Sequence, residues 1–138
     1  MKAEEQQALQ QRYMELQMIN NQIKQYQKQI QLFENQLIEL DTLNQGIINI
    51  GSTKPGTEIL ASLGPGIFVK AELKDNKNFL VNVGSGTNVK KDASSTQELI
   101  NNQAEQLKKL FEQSMGELQN LTLQARTIEQ DISTTLKE

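Results

Sequence analysis

Apolar residues recur every seven positions through the first third of this 138-residue chain. Leu9, Leu16, Ile23, Ile30, Leu37 and Asn44 form one row, and Arg12, Ile19, Tyr26, Phe33, Leu40 and Ile47 form a second, offset by three. Two rows at this spacing make a narrow stripe on a helix, the a/d seam of a coiled coil, sustained for about six heptads. Neither Pro nor Gly interrupts the pattern before Gly46. A helix with so thin an apolar stripe must lay it against another helix.

The last third supplies the second stripe. Ala104, Phe111, Leu118, Ala125 and Ile132 alternate with Ile100, Leu107, Ser114, Leu121, Ile128 and Thr135. Helical boundaries of 1–48 and 95–137 follow, with Ser95 and Glu98 at capping-box spacing for the second start. Gly116 is the one poor helix former inside, costing about 1 kcal/mol relative to Ala. Residues 9–47 and 97–135 would each extend about 57 Å at the helical rise. Folded back antiparallel, one register aligns the layers: Leu40 with Ala104, Leu37 with Leu107, Phe33 with Phe111, Ile23 with Leu121, Ile19 with Ala125 and Leu16 with Ile128. Ile30 against Ser114, Arg12 against Ile132 and Leu9 against Thr135 are the weak layers, so the chain ends are expected to fray and splay.

Between the stripes, from 57 to 91, the periodicity falls to two. Ile67, Val69, Ala71 and Leu73 alternate with Phe68, Lys70, Glu72 and Lys74, and Phe79, Val81 and Val83 alternate likewise. Thr57–Ser62 and Thr87–Lys90 flank them. Gly64-Pro-Gly66, Asp75–Asn78 and Gly84-Ser-Gly86 read as turns. Four short strands make two hairpins, which cannot bury both faces alone and whose edges invite pairing with other chains. The fold class expected is mainly α with small β: a single domain, an antiparallel two-helix coiled-coil hairpin with two central β-hairpins joining an oligomeric platform.

Composition narrows function by exclusion. With 4% aromatic residues and no Trp, the chain has little material for a globular core. There is no His and no Cys, which removes the commonest metal ligands, general base and thiol nucleophile. The carboxylate pairs Glu34/Glu39 and Glu112/Glu117 fall on solvated helices, where nothing would shift their pKa. Gly84-Ser-Gly86 lacks the third glycine and the helix of a dinucleotide loop. No enzyme activity, cofactor or metal is expected. A net charge of −3 with scattered Lys and Arg argues against nucleic acid. No apolar run approaches a membrane span, and the opening residues lack the apolar core of a signal peptide, so a cytoplasmic protein is expected. Asn120-Leu-Thr122 matches a glycosylation sequon by chance. Tyr13, Met14 and Met18 on the first arm, with Leu123 and Leu136 on the second, lie off the seam, where Met and aliphatics suit tolerant binding of apolar sequences.

The run Glu58-Ile-Leu-Ala-Ser-Leu-Gly-Pro-Gly-Ile-Phe-Val-Lys-Ala-Glu-Leu73, followed by Phe79-Leu-Val-Asn-Val-Gly-Ser-Gly86, resembles the α-class subunit of prefoldin. The order of long helix, two hairpins and long helix is similar along the whole length, and two hairpins rather than one favour the α class. The resemblance implies an ATP-independent holdase. Two α and four β-class subunits would join through a β-barrel platform built here from Ile59, Leu60, Ile67, Phe68, Val69, Ala71, Phe79, Val81 and Val83. Coiled-coil tips, here Leu9, Tyr13, Met14, Met18, Leu123, Ile132 and Leu136, would bind non-native polypeptide and pass it to a group II chaperonin. Ala61-Ser62 departs from the Val-Pro often found in relatives, and Gln- and Asn-rich arms with few charged pairs point to a mesophilic source. The alternative reading is an architectural, filament-forming coiled coil that delivers no clients.

Overall fold

The computed structural model describes residues 2–137. Helix α1 (Ala3–Gly51) is followed by β1 (Glu58–Gly64), β2 (Ile67–Glu72), β3 (Asn78–Asn82), β4 (Asn88–Asp92) and helix α2 (Ala93–Lys137). The chain divides into two compact units, one containing α1 up to Leu37 with α2 from Gln106, the other containing Ile38–Glu105.

In the first unit the two helices run antiparallel. The side chains withdrawn from solvent on α1 are those of the seam, from Leu9 through Leu16, Ile19, Ile23, Tyr26, Ile30 and Phe33 to Leu37. On α2 they are Leu107, Phe111, Ser114, Leu118, Leu121, Ala125, Ile128, Ile132 and Thr135. Leu9 and Thr135 line a common cleft, as do Tyr26 and Leu121, and Arg12 pairs with Asp131, the neighbour of Ile132. This agrees with the register drawn from the heptads. Arg12 is the one member of the α1 rows left exposed, because its long cationic side chain is cheaper to hydrate than to bury. Glu4 and Glu5 in the first turn of α1 and Lys137 in the last turn of α2 complement the helix dipoles.

In the second unit α1 runs past Gly46 to Gly51, beyond the boundary at 48 that periodicity suggested. A single glycine inside a long packed helix weakens it without ending it. The end is made by side chains: the Ser52 and Thr53 hydroxyls both donate to the Asn49 carbonyl, at 3.0 and 2.7 Å, occupying an acceptor that the helix leaves open. Ile47 and Ile100 are buried here, and the Asn44 Oδ1 is buried with no hydrogen-bond partner. Helix α2 begins at Ala93, not at 95. Asp92, rather than Ser95, is the cap: its Oδ1 accepts the Ser95 N–H at 2.8 Å, and the Thr96 hydroxyl donates to the Asp92 carbonyl at 2.7 Å. The Ser95 N–H first, and then the Ser95 hydroxyl, hold the Asp92 carboxyl below the usual range.

The strands form two separate antiparallel pairs, β1 with β2 and β3 with β4. Pairing of β1 and β2 runs from Glu58↔Glu72 to Ser62↔Phe68, then shifts to Gly64↔Ile67, leaving Leu63 as an extra residue on β1. The turn has Pro65 at its first corner and Gly66, with φ +74°, at its second, a conformation open to glycine at little cost. Gly84, Ser85 and Gly86 all have positive φ in the turn between β3 and β4. Asp75 organises the link from β2 to β3 by accepting the Lys77 N–H at 2.8 Å and bonding the Asn78 amide at 3.1 Å. The Asn76 amide donates to the Thr53 carbonyl at 3.0 Å, tying that link to the end of α1. Among the described residues the strands close no barrel.

Candidate functional site

Two apolar surfaces stand out, each holding more hydrophobic residues than the element's own partner covers. The first is in the helical unit. Residues on the heptad rows turn inward, so those one or two positions off the rows turn outward. Tyr13, Met14, Met18, Leu123 and Leu136 are all exposed, Met18 by 64%. Leu9 is half-buried beside Thr135. Ile132 is different: it is buried in the seam at 6% exposure, so in the paired helices it contributes packing and no accessible surface. Its place on an a/d row marks it as core, whereas the tip reading counted it by proximity to the end.

These residues do not form one patch. Met18, Ile19, Leu123 and Ile128 line a shallow groove of about 550 Å³ running across both helices, with Glu15 and Gln22 at its margin. Leu9, Arg12, Asp131 and Leu136 line another cleft of about 700 Å³ near the ends of the helices. A third groove, also about 700 Å³, lies along α2 alone between Met115 and Arg126, and Leu123 is shared between it and the first. Met115 and Leu110 were not singled out from the sequence, although both flank the seam positions and are 45% exposed.

The second surface is on the strands. Cross-strand partners share a face, so Ile59, Ala61, Val69 and Ala71 form one side of the first hairpin and Leu60, Ser62, Phe68 and Lys70 the other. Ile59, Ala71, Phe79 and Val81 are half-buried, whereas Leu60, Ile67, Phe68, Val69 and Val83 are exposed. Leu80, opposite Lys90 on the polar side of the second hairpin, is the most exposed large apolar residue described, at 78%. Alternation hid it, because strict period two assigns position 80 to the solvent face. Leu63 is also exposed, at the bulge. Among the described residues each hairpin keeps two unpaired strand edges.

Among the described residues no group of three potential metal ligands occurs. The two displaced carboxyls, Asp75 and Asp92, are both lowered, and turn and cap hydrogen bonds account for them. No described helix is long and apolar enough to cross a membrane.

The family model for prefoldin subunits matches residues 3–138. The prefoldin subunit alpha of Thermofilum pendens is 34% identical over 106 residues, covering 77% of this chain and 82% of that protein. The prefoldin subunit alpha of Archaeoglobus fulgidus is 28% identical over 130 residues, covering 94% and 82%. A cryo-EM structure of filamentous PFD from Methanocaldococcus jannaschii superposes with a TM-score of 0.73 at 12% identity, over 82% of this chain and 93% of that one. Two long helices, two separate β-hairpins between them and subunit-length similarity agree: the chain belongs to the prefoldin family of chaperones, in its α class.

Proposed function

We propose that this chain is the α-class subunit of an ATP-independent holdase that binds non-native polypeptide on its helical arms and passes it to a group II chaperonin. The observation that carries the reading is the exposed apolar set Tyr13, Met14, Met18, Leu123 and Leu136 on a helix pair whose seam is already filled by other residues. Such residues gain nothing for the folded chain by being apolar. Methionine is well suited to varied partners because its unbranched thioether adapts to many shapes.

The hairpins account for assembly. Exposed Leu60, Ile67, Phe68 and Val69 beside unpaired strand edges fit a surface completed by other subunits. Four β-class subunits and a second α-class copy would join them into a closed barrel, in the cytoplasm. Closure would satisfy the strand edges that each hairpin leaves open.

The test is reconstitution with β-class partners. Without nucleotide, the complex should suppress aggregation of an unfolded test protein. Removing residues 1–15 and 126–138 should abolish protection while leaving assembly intact. Equal protection by the truncated complex would sink the arm-tip mechanism. A second reading, open-ended polymerisation, rests on the same unpaired edges, since a heterologous contact that fails to close propagates. Native mass spectrometry separates the two: a defined hexamer supports the holdase, and a concentration-dependent ladder supports the filament.

A further inference from the structure

The two hairpins are fastened to the helices in different ways. Asp92 is both the last residue of β4 and the cap of α2, which begins at Ala93, so the second hairpin enters its helix without a link. The first hairpin leaves α1 through residues 52–57, which include Pro55 and Gly56, the latter at φ +92°. At its root the hairpin closes on itself. The Gly56 N–H donates to the Leu73 carbonyl at 2.6 Å, and the Leu73 N–H to the Thr57 carbonyl at 2.9 Å. Those bonds join one side of the hairpin to the other and do not reach α1.

One side-chain bond does reach it. The Asn76 amide donates to the Thr53 carbonyl at 3.0 Å, between two half-buried residues 23 apart in sequence. Every other side-chain hydrogen bond among the described residues joins positions no more than four apart.

Both ends of this bond are held in place. On the donor side the Asp75 carboxylate accepts the Lys77 N–H at 2.8 Å, the Asn78 N–H at 3.2 Å and the Asn78 amide at 3.1 Å, which fixes the turn that carries Asn76. On the acceptor side Thr53 is bonded back to α1, its N–H to the Ile50 carbonyl at 3.0 Å and its hydroxyl to the Asn49 carbonyl at 2.7 Å.

The lever beyond the bond is long. From Thr57 to Pro65 the hairpin spans roughly 27 Å at the rise of a strand. A swing of about 10° at the root carries its tip about 5 Å, as far as one strand lies from the next. Subunits that pair strand to strand inherit that swing, and the rotation between neighbours decides whether an assembly closes or continues without end.

Building on the assembly reading above, we infer that Asn76 is the positioning residue that sets the angle of the first hairpin to α1, and that this angle selects closure over open-ended growth. The side chain acts through the hairpin that it orients.

The chain has no cysteine, so Gln45→Cys on α1 and Leu63→Cys at the β1 bulge place two spin labels at exposed positions, whose separation reports the hairpin angle in the full chain. A single narrow distance is expected for the parent. Asn76→Asp keeps the size of the side chain and replaces the donor with an acceptor; it should shift or widen that distance by several ångström while helix content by circular dichroism stays unchanged. Asn76→Ala, which removes the donor without adding charge, should do the same. Asn82→Asp adds the same charge but keeps an oxygen to accept the Gly84 N–H, and it should match the parent. Unlabelled chains are then assembled with β-class partners. Native mass spectrometry should show one closed species for the parent and for Asn82→Asp, and a several-fold larger share of unclosed or higher species for both Asn76 variants. An unchanged distance in those variants would overturn the positioning role, and an equal change in Asn82→Asp would assign the effect to charge instead. A changed distance with the closed species intact would overturn the control of closure. A parent that forms no defined assembly would remove the assembly reading, while the distances in the chain alone still decide the positioning role.

Discussion

The Arg12 guanidinium turns out of the helix seam to meet the Asp131 carboxylate at 3.5 Å, with both side chains about half exposed. It is a residue of the core row serving as a surface ion pair. Exposed pairs are worth about 0–1 kcal/mol, so Asp131→Ala should cost less than about 1 kcal/mol. Arg12→Leu should instead stabilise the helical unit by about 1 kcal/mol by burying part of its own apolar side chain against the seam. Urea unfolding followed by circular dichroism checks both, and destabilisation by Arg12→Leu would show that the ion pair, not packing, holds this end.

Asn44 carries a buried carbonyl oxygen without a partner. Asn44→Leu should stabilise the second unit by about 1–2 kcal/mol, the cost of leaving such a group unbonded. A polar residue on a core row also fixes register at the expense of stability. Cysteine pairs at Leu37 and Leu107 should therefore crosslink cleanly in the parent and less uniquely in the Asn44→Leu background. Unchanged stability would mean that water satisfies the amide.

Ile128 and Met18 lie against the same groove but do different jobs. Ile128 is buried in the seam, and Ile128→Ala should cost about 2–4 kcal/mol. Met18 is exposed, and Met18→Ala should stay within about 0.5 kcal/mol while weakening client protection. Parallel melting and aggregation-suppression assays should separate the two residues, and similar losses of stability would contradict the assignment.

Asp92 caps α2 with a carboxyl held below its ordinary value by the Ser95 N–H and hydroxyl. A depressed folded-state pKa contributes stability above the unfolded value, about 3.9 for Asp. That contribution is lost as pH falls through the lower, folded value. Amide exchange at the start of α2 should accelerate as pH drops below about 4, after correction for intrinsic rates. In Asp92→Asn, which keeps a capping oxygen without the charge, this extra acceleration should vanish. The same acid sensitivity in both proteins would place the effect elsewhere.

Gly66 sits at φ +74° with open space where a Cβ would be. Gly66→Val should cost about 1–3 kcal/mol from backbone strain alone. Gly64→Ala, at ordinary φ and equally open, should be mild by comparison. Loss of assembly in native mass spectrometry for the first variant and retention for the second is the expected pattern.

The heptad rows were readable because helical burial repeats locally. Once two helices pair, each residue's side of the axis follows from its position, so Leu16, Ile19, Ile100 and Leu121 fell inside as the rows required. The strands were readable for the same reason at period two, and the pairing of Ile59 with Ala71 and of Val81 with Val89 agrees with the alternation. The helix boundaries were less so: whether Asp92 or Ser95 caps α2 depends on where β4 releases the chain, a matter of hydrogen bonding that residue type alone leaves degenerate.

The sequence by itself therefore determined the two seams, their antiparallel register and the two hairpins, since each is set by spacing along the chain. Only the tertiary structure decided that Leu63 is left exposed at a bulge and that two grooves converge on Leu123. Exposure and concavity depend on what neighbouring elements leave uncovered, and that is a property of three-dimensional packing which no periodicity encodes.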